Sequence, residues 1–213
     1  MFKERKIEEF IENLSSSEPT PGGGTVAALL SSISSSLVKM VYNITINKEI
    51  FYDLDKSIRS EILLAKDRID NMTKIFLKLM DDDSKSFNNV IESFKLPKSN
   101  EEEKLLRKNK IQDSYKEALY TPLQTVRESY KLYDYIYIAC KYGNRNAITD
   151  VAVAALALQA AIEGATLNVK INAKYIDDEE YTSLVIYECN EIVENGIKRR
   201  DKILKLVELE LVG

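Results

Sequence analysis

The sequence predicts an all-α fold, a multi-helical array of long and short helices, and three observations carry that prediction. Apolar side chains recur at threes and fours along most of the chain, the spacing of helices with one buried face. Glycine and proline are scarce, 7 and 4 in all, while Leu, Ile, Lys, Glu and Ala are common. Hydrophobic residues make up 45% and charged residues 30%, the balance of a helical protein with a full core. At 213 residues the chain reads as one domain, 1–213.

The elements follow in order. Phe2, Ile7, Phe10, Ile11 and Leu14 mark a short amphipathic helix that caps the core and ends in Ser15–Ser17. After the glycines of PTPGGGTVAALL, the residues Val26, Leu30, Ile33, Leu37 and Ile44 set a helix from about Thr25 to Thr45. The small residues on its other faces let a second backbone come close. A long seam from Asp53 to Lys95 runs through Leu54, Ile58, Ile62, Ala65, Ile69, Met72, Phe76, Leu79, Phe87, Val90 and Phe94. Position 83 on that seam should be apolar, and it is Asp83.

Pro97 closes this helix, Ser99 or Asn100 caps the next, and Glu101–Glu103 fill its first turn. That helix is expected to run to about Tyr120, with a kink or a fresh start at Pro122. Gly143 stops the tyrosine-rich stretch, and Asn144–Ile148 form a connector. Thr149 or Asp150 caps an alanine-rich helix reaching Val169, which should pack centrally against the first small-residue helix. Asp177 or Asp178 caps the last helix.

Composition also narrows function. The net charge of −4 is spread over mixed-sign helices, so no basic face points to nucleic acid. Cys140 and Cys189 form no metal-ligand pattern and read as free thiols in the cytoplasm. The N-terminus lacks the apolar core of a signal peptide, and the most apolar run, Val151–Ile162, is short for a membrane span. There is no histidine, so any catalysis runs on carboxylates, amides, hydroxyls, amines or backbone, and no metal is expected.

Several residues are candidates for chemistry. Three glycines before a helix leave backbone N–H groups open to an anionic or flat polar ligand, or else make a turn that lets two helices approach. Asp83, beside Asp81 and Asp82 on an apolar seam, would have its pKa raised by desolvation and by like charge. A salt-bridged acid, or a seam that shifts to Ser84 or Ser86, explains it equally well. Asp150 could simply cap its helix. Asn168 and Asn172, four apart, share a helix face and could hold paired ligand hydrogen bonds. IKRRDK, Ile197–Lys202, is a basic cluster that reads first as a solvated face.

Together these stretches resemble the folate-dependent cyclodeaminase/cyclohydrolase family. The resemblance rests on PTPGGGTVAAL at Pro19–Leu29, the DxDxxxF pattern of Asp81, Asp83 and Phe87, and LPKSNEEEK at Leu96–Lys104. It extends through TPL at Thr121–Leu123, YGN at Tyr142–Asn144, TDVAVAAL at Thr149–Leu156 and NVKIN at Asn168–Asn172. The resemblance implies a multi-helical fold that dimerises through a helical hairpin, and a tetrahydrofolate derivative as substrate, with no tightly bound cofactor. It implies formiminotetrahydrofolate cyclodeaminase activity, or methenyltetrahydrofolate cyclohydrolase activity; a non-catalytic folate-binding helical dimer is the reading from another class. Asp83, Asp81 and Asp150 are then the catalytic candidates. Pro21, Gly22, Gly23, Gly24, Asn144, Asn168 and Asn172 are the substrate-binding ones. Thr149 stands where relatives often carry Ser, and the formiminotransferase portion of bifunctional relatives is missing, which implies a separate transferase as partner.

Overall fold

The computed structural model describes residues 1–212, all of it helix, turn or loop, with no strand among them. A 3-10 turn at Phe2–Glu4 precedes α1 (Ile7–Leu14), α2 (Gly23–Ile46), α3 (Glu49–Tyr52) and α4 (Lys56–Phe94). Then come α5 (Glu101–Tyr142), a 3-10 turn at Arg145–Ala147, α6 (Ile148–Ala173) and α7 (Glu179–Val212).

Helices α2 and α6 form the centre, as their small residues require. They run antiparallel: Ser34 Oγ donates to the Ala154 carbonyl at 2.8 Å, and a Cβ on Gly164 would sit 3.7 Å from that of Ala27. Buried serines replace apolar bulk on α2 and find partners on their own helix and across it, as Ser31 does with Ala27 O and with Ser129 Oγ of α5. Helices α4 and α5 flank the pair, and α7 covers α5 and α6. By length and apolarity alone α2 and Arg145–Ala173 could each cross a membrane, yet 56% and 50% of those windows are buried inside the bundle.

Some expectations need correcting. The N-terminal segment is not one helix, and it caps the core through Phe10, 5% exposed, with Phe2 and Leu14 packed beside it, while Ile7 is 84% and Ile11 54% exposed. The seam of α4 shifts in part after Leu79: Met80, Ser84, Ser86 and Ser93 join the buried Val90, while Phe94 is exposed and Phe87 is partly exposed. Helix α5 passes Pro122 without interruption. The missing N–H leaves the Ala118 carbonyl, four residues back, without its helical partner, and Asn172 Nδ2 of α6 donates to it at 2.8 Å. Neither Thr149 nor Asp150 caps α6, which starts one residue earlier, after a 3-10 turn.

Candidate active site

Where the N-terminus of α2 meets α4 and the last turns of α6, the bundle opens into a cavity of about 170 Å3. One wall is the loop Pro19, Thr20, Gly22 and the first α2 residues Gly23 and Gly24. Opposite stand Asp83, Ser86 and Phe87 of α4, and Asn168, Ile171 and Asn172 of α6, with Ala118 of α5 at the back.

The glycines serve close approach. No residue of the chain among those described has a positive φ, so the triplet makes no left-handed turn. Instead a Cβ on Gly24 would overlap the Asp83 carboxylate, and one on Gly23 would lie 3.3 Å from Asn168 Nδ2; at Gly22 the nearest atom is 3.7 Å away. Any side chain at Gly24 would therefore push Asp83 out of place. Pro21 is buried beneath the loop and does not line the cavity, contrary to expectation; Pro19 and Thr20 do.

Asp83 is half-buried on the seam's edge. Thr25, fully buried, donates its hydroxyl to Asp83 Oδ2 at 2.8 Å, and its backbone N–H at the start of α2 also reaches the carboxylate. Ser84 Oγ lies 3.0 Å from the same Thr25 hydroxyl. Burial pushes the Asp83 carboxyl above the usual carboxylate range, and the two Thr25 hydrogen bonds partly offset that rise. The open helix N-terminus predicted for a ligand is thus used in part by the protein's own acid.

Asn168 donates Nδ2 to the Gly164 carbonyl at 2.8 Å, and Asn172 donates to Ala118 as described. Both amide nitrogens are tied down by backbone. Both Oδ1 atoms are left as free acceptors on residues that line the cavity.

Three predicted site residues lie elsewhere. Asp81 turns to the far side of α4, where its Oδ1 accepts the Phe2 N–H at 2.7 Å and Lys3 Nζ stands 3.7 Å from Oδ2. It cannot support Asp83, because residues two apart on a helix point to nearly opposite sides. Asn144 accepts the Asn146 N–H and donates its own N–H to Thr45 Oγ1 at 2.9 Å, a turn at the opposite end of α6. Asp150 lies in the first turn of α6, 18 residues and so about 27 Å along the helix from Asn168.

Sequence reasoning missed Thr25, Ser86, Ala118 and Ile171. Thr25 had a signal, since it follows the glycines directly, and so did Ser84 and Ser86 as hydroxyls on an apolar seam; Ala118 and Ile171 had none.

A model of the formiminotransferase-cyclodeaminase family matches residues 6–191. The chain belongs to this family. The methenyltetrahydrofolate cyclohydrolase of Methylorubrum extorquens is 32% identical over 202 residues, 95% of each chain. Gallus gallus formimidoyltransferase-cyclodeaminase is 30% identical over 199 residues, covering 93% of this chain and 36% of that longer protein. The crystal structure of formiminotetrahydrofolate cyclodeaminase from Thermotoga maritima shares the fold, with a TM-score of 0.81 over 96% of this chain and 98% of that one, at 24% identity.

In this member of the family the cavity joins an acid with a raised pKa, a bare glycine wall and two free amide acceptors. Such a set can hold a flat heterocycle by its N–H groups and move one proton beside it.

Proposed function

We propose that the chain is a folate one-carbon enzyme converting 5-formiminotetrahydrofolate to 5,10-methenyltetrahydrofolate with release of ammonia. The observation that carries this reading is the Asp83 carboxyl, its pKa raised by burial, at the edge of a cavity walled by bare glycine backbone. N10 attacks the amidine carbon, its own proton passes to the exocyclic nitrogen, and the tetrahedral adduct collapses once that nitrogen takes one further proton. Protonated Asp83 supplies that proton, ammonia departs, and the carboxylate left behind faces the new methenyl cation, which it stabilises. The free Oδ1 atoms of Asn168 and Asn172 accept from pterin N–H groups, and Gly22–Gly24 lie against the ring. The folate arrives as substrate, and no tightly bound cofactor takes part.

A second reading, methenyltetrahydrofolate cyclohydrolase, draws support from the Methylorubrum relative, which matches this chain over 95% of both lengths. There Asp83 as carboxylate takes a proton from the water that adds to the methenyl carbon. Supplying each folate separately and following the near-ultraviolet band of the methenyl form separates the readings. The band rises from the formimino substrate for a cyclodeaminase and decays from the methenyl substrate for a cyclohydrolase. No change with either, in protein that still binds folate, would leave a non-catalytic binder.

The chain acts as a homodimer in the cytoplasm, where Cys140 and Cys189 stay thiols. A separate formiminotransferase supplies the formimino substrate.

A further inference from the structure

The outer faces of the neighbouring helices α2 and α6 expose mainly apolar side chains, with Glu163 and Ser36 among the polar exceptions. On α6, Val153 (52% exposed), Leu156 (48%), Leu167 (66%) and Ile171 (46%) stand in line, and beside them Ile33 (43%) and Met40 (39%) of α2 widen the face. From Val153 to Ile171 the face is about 27 Å long and two helices, about 20 Å, wide, the scale of the roughly 800 Å2 per partner that a stable dimer buries. It runs directly into the cavity, since Ile171 belongs to both. That cavity, at about 170 Å3, is smaller than the roughly 300–1,000 Å3 of most ligand sites, so a neighbour that extended its rim would enlarge it.

The face is self-complementary in one direction only. Val153 and Leu167, and likewise Leu156 and Gly164, lie symmetrically about Ala160. Antiparallel pairing of two α6 helices at Ala160 therefore sets large residue against large and Leu156 over Gly164. It also brings Asp150, which has no hydrogen-bond or ion-pair partner among the described residues, level with Lys170 of the other copy. Asp150 and Asn168 lie on the same side of α6, toward α2, because they are 18 residues or five turns apart. Parallel pairing would instead set Asp150 against Asp150 and leave both cavities open.

We propose that a second copy of this chain covers the α2–α6 face in this antiparallel register, so that Asp150 of each protomer closes the Asp83 cavity of the other. Each site is then composite, with Asp83, the glycines and the asparagines from one chain and Asp150 from the next. The proposal rests on the enzymatic reading above for what the cavity does, but its geometry is testable without activity.

The geometric test is cross-linking of a chain carrying both Asp150→Cys and Ile171→Cys with a short bis-maleimide. Within one chain these positions are about 32 Å apart along α6, beyond its reach, and the native Cys140 and Cys189 are buried. A covalent dimer, absent from either single variant, is expected. Reagent-labelled monomer alone, from protein with native circular dichroism, overturns the proposal, as does a monomer in sedimentation velocity of the unmodified chain. The functional test mixes Asp83→Asn with Asp150→Asn under conditions of subunit exchange. Each variant alone is expected to lose most turnover, while half of a random mixture is heterodimer with one intact site, giving about a quarter of the wild-type rate. A mixture no more active than the average of its parts contradicts the shared site. An inactive wild type with both folates would sink the enzymatic reading and leave the cross-link to decide the geometry.

Discussion

On one side of α4 the Asp81 carboxylate holds down the N-terminal segment; on the other, two residues later, Asp83 looks into the cavity. The two acids share a helix turn and a DxD spacing, and their surroundings divide them. Asp81 meets two backbone N–H groups and a lysine, partners that need its charge. Asp83 meets one threonine and an apolar edge, where burial disfavours its charge and raises its pKa. A carboxylate pair close in sequence is therefore a pair in function only where the helix lets both face one site, and about 200° of rotation between residues two apart forbids it here.

The sharpest way to break the contrast is to neutralise each acid in turn. Asp83→Asn should lower turnover on whichever folate the wild type uses by roughly 10²-fold or more, the usual worth of a general acid or base, with folate binding kept. A rate within a few-fold of wild type would remove Asp83 from the chemistry. Next in size is Gly24→Ala, whose Cβ would displace the Asp83 carboxylate; misplacing that group should cost about 10-fold or more in turnover. Gly22→Ala, with only an ordinary contact at 3.7 Å, serves as the control and should stay close to wild type. Equal losses at both positions would mean that the glycines act through the loop's flexibility and not through Asp83.

Asp81→Asn gives the smallest change in rate, less than about 3-fold because no step passes through it. Its effect falls on stability, about 1 kcal/mol in urea unfolding for the weakened hold on Phe2 and Lys3. A large loss of turnover with unchanged stability would reverse the roles assigned to the two acids.

Much of this was legible in the residues. Helix periodicity located the long helices, though it divided α5 at Pro122, and the small residues of α2 and α6 announced the central pair. Asp83 was visible because a charge interrupts an apolar seam, though the seam's shift to Met80 and Ser84 was hidden: side chains of similar size allow either line, and packing decides. Pro122 misled because its cost is local while its remedy, Asn172, lies 50 residues away on another helix. The same distance problem hid the fate of Asp81, Asn144 and Asp150, since spacing along one helix says nothing about which neighbours wait on each side.

Stability should carry the mark of Asp83 as well. Its folded pKa is raised, so between the ordinary aspartate value and the raised one the folded protein holds more protons than the unfolded chain. Wild-type stability then falls as pH climbs through that window. Asp83→Asn has no proton to lose, so its stability relative to wild type should improve across the same window and level off above it. A difference that stays flat with pH would mean that burial does not hold the proton on Asp83.

The most direct measurement is the carbon-13 titration of the Asp83 side-chain carboxyl in the folded protein, its signal identified by its disappearance in Asp83→Asn. The midpoint should lie above that of an ordinary aspartate and rise further in Thr25→Val, which removes the hydroxyl donor. A midpoint at or below the ordinary aspartate value would contradict an acid kept proton-rich by its pocket.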